Sequence, residues 1–339
     1  MHKTNNSRKK LLVGIIGTGQ FAKKHAQYWI DIPGISFMGF YSAKEKHDIR
    51  IKNKFYKVYS KFELFARECT IIDIVNQNYL HAKFAIMSLK YNCNVILEKP
   101  IATNSESAIK ILQTAKKYNL YVGSISNYFH NHYFKKIAST LTCNKYGKLI
   151  DCSLNFSSYR DKKYYDSNKG WRKDNSKSGG GVLIQQCFHH IDFLSFFLGD
   201  IEYVKSYGKD FIGPQGFEIE RSFFGLIKFK NGALLNLSLT TTDKKSKESF
   251  IFNFDNASFF VNSGIFYKFG FDKYIAFLKK IIKKIFRLNN NNMIKSQLIF
   301  HIENILKKDF SYSEFQKSIN TLKLVEILYA DYKETHTME

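Results

Sequence analysis

The chain has 339 residues, 44% of them hydrophobic, and a formal net charge of +23. That length is long for one core and suits two domains, and no run of about 18 uncharged apolar residues offers a membrane-spanning helix. The basic opening "MHKTNNSRKK" lacks the apolar core and small-residue cleavage site of a signal peptide, so a cytoplasmic protein is expected.

In chain order, "KLLVGIIG" is a continuous apolar run, as in a strand covered on both faces. A helix follows from Phe21 to Ile30. "GISFMGFYS", "TIIDIVN", "NVILE" and "LYVGSIS" are further strands. "LHAKFAIMSLKYN" and "NSESAIKILQTAKKYN" are helices between them, the second capped by Asn104 or Ser105. This alternation predicts a doubly wound parallel sheet over 1–125.

Beyond about residue 146 the pattern becomes strand-rich, with "KLIDCSLNFSSYR", "IEYVKSYGK", "RSFFGLIKFKNGALLNLSLTT" and "ESFIFNFDNASFFV". Asn231-Gly232 signals a hairpin. One helix from Gly181 to Phe197 interrupts the series. An open, mostly antiparallel sheet with helices on one face is predicted over 126–312. "LNNNN" at 288–292 reads as a loop, and a last amphipathic helix starts at Ser313.

Five cysteines without a CxxC pair favour reduced thiols over a disulfide framework or a zinc site, and no metal is expected. The excess of 52 Lys and Arg over 29 Asp and Glu would attract polyanions. A chain crowded with Lys, Asn, Ile, Phe and Tyr carries such a charge through composition alone, and no nucleic-acid-binding module is visible. The stretch 271–288, "FDKYIAFLKKIIKKIFRL", is a cationic amphipathic helix in pattern. Its apolar stripe either packs on protein or rests on an anionic membrane.

The turn "GIIGTGQFAKKH" contains Gly17-Thr18-Gly19-Gln20-Phe21-Ala22, a GxGxxA motif between a strand and a helix. Gly17 permits the tight turn, Gly19 lets a pyrophosphate approach the backbone, and Ala22 allows close helix–strand packing. Dinucleotide binding is expected. Where an acid usually reads the ribose of NAD, the second strand ends at Ser42, with Lys44 and Lys46 after it. That pairing favours NADP over NAD, unless Ser42 only starts a turn.

In "VILEKPIAT" a strand stops at Glu98 and delivers Lys99 ahead of Pro100. In "GGGVLIQQCFHHIDFL" the polar residues Gln185, His189 and Asp192 are spaced by four and three, so they share a helical face. Such a face is either functional or a satisfied core network. His190 lies on another face and reads as structural.

Together these segments, with "NYLHAKFA", "YYDSNKGWR", "FKNGALLNLSLTT" and "LKLVEILYADY", resemble the Gfo/Idh/MocA oxidoreductase family over nearly the whole chain. The resemblance implies a Rossmann domain, an open-faced α+β domain, and a C-terminal helix over 313–335 packing back on the first domain. It implies hydride transfer between NAD(P)(H) and a hydroxyl carbon, with Lys99 and His189 as catalytic residues. Gln185 stands where many members have Asp, and it can orient His189 or bind a substrate hydroxyl. Asn78, His81 and Glu98 join Lys99 near the cofactor. Asn76-Gln77 replaces a common Thr-Pro, and Arg221 replaces an Asp. The resemblance also implies a cis Lys99–Pro100 bond. "YYDSNKGWR" is similar to the substrate segment of members acting on sugar nucleotides. Arg160, Tyr164, Tyr165, Trp171 and Arg172, with Gln185 and His189, are the candidate substrate residues, although an ordinary surface loop has the same composition. The implied function is oxidation or reduction of a sugar, foremost a sugar nucleotide in surface-glycan synthesis. A free sugar or polyol is the alternative substrate, and a silent cofactor-binding scaffold is the alternative class. A homodimer or homotetramer paired through the open sheet is implied.

Overall fold

The apolar run after the basic opening forms strand β1 (Leu11–Ile16), and the glycine turn leads directly into helix α1 (Gln20–Ile30). The computed structural model describes residues 11–45, 47–126, 132–143, 145–209, 217–262, 265–269 and 293–336. These fall into two units. The first continues with β2 (Ile35–Tyr41), a small hairpin of β3 (Ile49–Ile51) and β4 (Lys54–Tyr56), β5 (Val58–Tyr59) and α2 (Phe62–Arg67). Next come β6 (Ile71–Ile74), α3 (Asn78–Lys90), β7 (Asn94–Leu97), α4 (Ser105–Tyr118) and β8 (Val122–Ser124). The hairpin, β5 and α2 are additions to the sequence reading, too short to show a hydrophobic period.

The main sheet runs in the order β5-β2-β1-β6-β7-β8, with every pairing parallel. The chain winds outward from β1 on one side, then returns to start the other side at β6. The β1/β6 boundary is therefore the topological switch point, beyond whose carboxyl end a ligand crevice forms. Val13, Ile15, Ile71, Ile96 and Trp29 are fully buried in this core. Each large apolar side chain so buried contributes about 1.5–3 kcal/mol.

In the second unit, α5 (His132–Thr142) precedes the long strand β9 (Leu149–Ser157). The helical turns α6 (Lys162–Asp166), a 3-10 stretch (Ser167–Lys173) and α7 (Asn175–Ser178) follow. A π-turn (Val182–Gln186) and α8 (Phe188–Leu198) come next. Strands β10 (Ile201–Lys209), β11 (Ser222–Phe229), β12 (Leu234–Thr240), β13 (Lys247–Phe254), β14 (Ala257–Asn262) and β15 (Ile265–Phe269) complete a sheet in the order β10-β11-β12-β9-β13-β14-β15. It is mixed: β12 and β9 are parallel and the other pairs antiparallel. The expected hairpin closes β11 to β12, with Gly232 at φ +89° and the Asn231 side chain accepting from Ala233 N. One face carries Leu154, Leu235, Leu237, Phe250 and Phe252, all buried. The rings of Phe134 (α5) and Phe193 (α8) meet edge to face at 4.6 Å and pack on Phe250. The other face leaves Tyr203, Tyr207, Phe224, Leu226 and Leu234 exposed.

The C-terminal residues divide otherwise than the sequence reading has it. Residues 294–316 belong to the first unit and 317–336 to the second. The reason is apolar matching. Ile294, Leu298, Ile302 and Ile305 of the helix Met293–Lys307 are part of the first unit's core. In the helix Ser313–His336, Asp331 accepts from Ser206 N of β10, and Tyr329 donates to Glu220. The basic stretch 271–288 lies outside the described residues, as does Lys46.

Candidate active site

Gly17 has φ +122°, and a Cβ there would stand 2.6 Å from the Val75 carbonyl oxygen. Only glycine allows β1 to turn so close to the residue following β6. Gly19 has nothing within 4 Å of a built Cβ. It is the N-cap of α1 and makes no side-chain capping bond. Open space thus lies before a helix N-terminus whose N–H groups need an acceptor, which fits a pyrophosphate. Thr18, Gln20 and the exposed Phe21 border that space in sequence, and Ala22 is fully buried.

Ser42 follows β2. Its hydroxyl oxygen accepts from Lys44 N (3.2 Å) and Glu45 N (3.0 Å), so it does start a turn. Its proton stays available to a ribose or phosphate oxygen beside the exposed Lys44.

At the end of β7, Glu98 is buried and Lys99 is half-buried, and the Lys99–Pro100 bond is cis. Glu98 Oε2 accepts from Lys99 N at 3.1 Å, and Oε1 lies 3.0 Å from His25 Nε2. Glu98 thus acts on its neighbour's backbone through one oxygen and pairs with a buried ring through the other. His81 is buried close to two backbone carbonyls. Its Nδ1 lies 2.7 Å from the Pro100 carbonyl and its Nε2 3.1 Å from that of Asn76. Burial lowers its pKa, and the neutral ring has one N–H to donate to one of these carbonyls. Asn78, in the first turn of α3, is buried beside it in sequence.

Sequence reasoning passed over His25, Trp29 and Asp73. Asp73 Oδ2 accepts from Trp29 Nε1 at 2.7 Å and contacts His25 Nδ1 at 2.8 Å, all three groups being fully buried. The signal was present: an acid inside the apolar strand "TIIDIVN" requires a partner.

In the second unit, two guanidinium groups approach the Tyr164 ring. Arg160 and Arg172 stand 5.2 and 4.7 Å from its ring, and Arg172 is also 4.7 Å from the Trp171 ring. Asp161 caps the turn by accepting from Tyr164 N, and Gln186 donates to the Tyr164 hydroxyl. The Tyr165 ring meets that of Tyr164 edge to face at 5.1 Å. It is buried, and its hydroxyl meets Thr241 Oγ1 at 2.8 Å, which ties it to the core.

The single helix expected from Gly181 to Phe197 is broken. The bond Cys187 N to Val182 O spans five residues, and α8 starts only at Phe188. Gln185, His189 and Asp192 accordingly serve different surroundings. Gln185 Nε2 donates to the carbonyls of Arg172 (2.8 Å) and Gly180 (2.6 Å). With both amide protons committed, Gln185 anchors the aromatic segment instead of donating to substrate or to His189. Asp192 accepts from Ser126 and Thr321 hydroxyls at 2.8 Å each, a satisfied core network. His189 is buried in the first turn of α8.

Residues 11–125 match the family model described as an oxidoreductase family with an NAD-binding Rossmann fold. Residues 134–260 match the GFO/IDH/MocA C-terminal domain. The chain belongs to the Gfo/Idh/MocA oxidoreductase family. Among curated relatives, it is 26% identical to glucose-6-phosphate 3-dehydrogenase of Bacillus subtilis, over 54% of this chain and 52% of that one. It is 24% identical to D-glucoside 3-dehydrogenase of Escherichia coli, over 69% and 71%. The chain spans about half the length of the former. Among solved structures, the WlbA dehydrogenase of Bordetella pertussis, in complex with NADH and UDP-GlcNAcA, superposes with a TM-score of 0.81. It is 16% identical, with 97% of each chain covered. Levoglucosan dehydrogenase, in complex with NADH and L-sorbose, gives 0.79 at 16% identity, covering 96% and 97%. These likenesses share the two-part fold described above.

Within the family frame, the Arg221 departure has a local account. Its guanidinium stands 5.6 Å from the Phe217 ring, a cation–π contact an Asp could not make. Beside it, Glu220 is buried and accepts from Gly181 N, Leu183 N and the Tyr329 hydroxyl. Burial pushes its carboxyl up to about 7 against those three donors. No group of metal-ligating side chains occurs among the described residues, and no described helix is long and apolar enough to cross a membrane.

Proposed function

We propose that the protein is a cytoplasmic nicotinamide-dependent dehydrogenase that oxidises or reduces a hydroxyl carbon of a sugar nucleotide. The observation that carries the substrate class is the Arg160–Tyr164–Arg172 cluster. Two guanidinium groups around an aromatic ring suit a phosphate next to a stacked ring. Similarity to a fold that holds UDP-GlcNAcA in WlbA supports the same class.

The glycine turn and α1 would hold the pyrophosphate, and Ser42 with Lys44 the adenosine ribose. When bound, the nicotinamide supplies the hydride acceptor at C4. The chain must then manage the hydroxyl proton. Lys99 and His189 are the two groups assigned to it, one as base and the other polarising the oxygen. Gln185 contributes by fixing the backbone of Arg172.

The test is reduction of the cofactor, followed at 340 nm, with UDP-GlcNAcA, glucose 6-phosphate and a D-glucoside. Turnover with the nucleotide at least tenfold above the other two is expected. A preference for the free glycoside would transfer the reading to the second class, which D-glucoside 3-dehydrogenase exemplifies. NADPH should quench with a lower Kd than NADH, because Ser42 and the exposed Lys44 follow β2 where an acid usually reads the ribose of NAD. Tighter NADH binding would overturn that preference.

The exposed Tyr203, Tyr207, Phe224, Leu226 and Leu234 on neighbouring strands support pairing of two copies through the open sheet. Light scattering at the monomer mass would remove this assignment. For the cationic stretch 271–288, peripheral contact with anionic lipid is proposed from its pattern alone. Failure to float with anionic liposomes at low salt would refute it.

A further inference from the structure

His25 is fully buried on α1, although neither the glycine turn nor core packing requires an ionisable ring there. Each of its nitrogens meets a carboxylate: Nδ1 with Asp73 on β6 at 2.8 Å, and Nε2 with Glu98 after β7 at 3.0 Å. A neutral imidazole has one N–H, so one nitrogen would turn a lone pair toward a carboxylate oxygen. The imidazolium donates to Asp73 and forms an ion pair with Glu98 at 3.0 Å. Burial by itself lowers the ring's pKa, but Asp73 and Glu98 outweigh it and push it up to about 10. The Trp29 indole donates to the same Asp73 oxygen, and the Phe21 ring lies 5.2 Å from the imidazole. The other Glu98 oxygen, Oε2, accepts from Lys99 N. A continuous path therefore runs from the helix behind the glycine turn, through His25 and Glu98, to the peptide of Lys99.

We propose that His25 is a positioning residue: its imidazolium clamps Glu98, and Glu98 fixes the backbone from which Lys99 projects. The clamp explains three observations at once. An acid stands in the buried strand β6 because the ring needs a second counter-charge. Glu98 is buried because it faces inward to His25. Lys99 leaves the strand in one defined direction because its N–H has a fixed acceptor. The inference rests on the assignment of Lys99 to the hydroxyl proton.

Nuclear magnetic resonance on the full chain tests the clamp without substrate. With 15N-labelled histidine, the resonances that vanish in His25→Gln should show both ring nitrogens protonated through pH 8. A ring titrating near its ordinary value would overturn the proposal. In His25→Gln, hydrogen exchange at the Lys99 amide should accelerate about tenfold or more, with β1 and β6 amides keeping their rates. An unchanged Lys99 rate would leave His25 a core residue only and overturn it as well. Should His25→Gln not fold, Glu98→Gln removes the charge facing the ring, and the same exchange at Lys99 is read. Turnover of Lys99→Ala is measured separately. Full activity there refutes the role of Lys99, whereas the exchange experiment alone decides the clamp.

Discussion

Lys99→Ala and His189→Ala are each expected to lower turnover about 100-fold or more, while the cofactor Kd changes little. The reason is the division of labour in the two units. The cradle for the dinucleotide is the open space at Gly19 before α1, built from backbone, and neither side chain contributes to it. Lys99 sits at the exit of β7, where a parallel sheet delivers residues to its ligand crevice. His189 sits on α8, in the unit that carries the Arg160–Tyr164–Arg172 cluster. Lys99→Arg separates the two proton schemes. Arginine stays charged and cannot act as a base. Retention of a measurable fraction of turnover in Lys99→Arg makes His189 the base; loss equal to that of Lys99→Ala makes Lys99 the base. Near-normal turnover in both alanine variants would end the assignment.

The periodicities that reported this fold are those of buried, continuous elements. "KLLVGIIG", "TIIDIVN" and "NVILE" are apolar along their length because helices cover both faces of a parallel sheet, and all three are strands. The Asn231-Gly232 turn was legible for the same local reason: few residues accept the conformation that Gly232 adopts. What stayed hidden depends on partners distant in sequence. Nothing near Gln185 tells that its amide is used by Arg172 and Gly180, or that a π-turn separates it from His189. Tyr165 and Tyr164 are adjacent in sequence, yet one is core and the other is approached by two guanidinium groups, because successive residues of a helical turn point different ways. Helix Met293–Lys307 joins the first unit because its Ile294–Leu298–Ile302 stripe complements that core, a match invisible from one segment alone.

Gly181→Ala should destabilise the protein by about 3 kcal/mol or more, read as a fall in the urea midpoint. A Cβ on Gly181 would stand 1.7 Å from the carbonyl oxygen of Glu220, and both groups are backbone, so neither can rotate away. The two segments are held together by Val182 N donating to Glu220 O (2.9 Å) and by the Glu220 carboxylate accepting from Gly181 N (2.7 Å) and Leu183 N (3.0 Å). Parting them breaks these bonds and leaves a buried carboxyl short of donors, the costly way to lose a hydrogen bond. Gly19→Ala is the contrasting substitution. Gly19 has an ordinary φ of −69° and open space around it, so the urea midpoint should hardly move. Its new methyl would instead occupy the approach to the α1 N-terminus and weaken cofactor binding. One glycine thus serves packing and the other leaves room for a ligand. Equal urea midpoints for Gly181→Ala and the unsubstituted chain would refute the packing assignment, and with it the account of how Gly180 and Arg172 are held for Gln185.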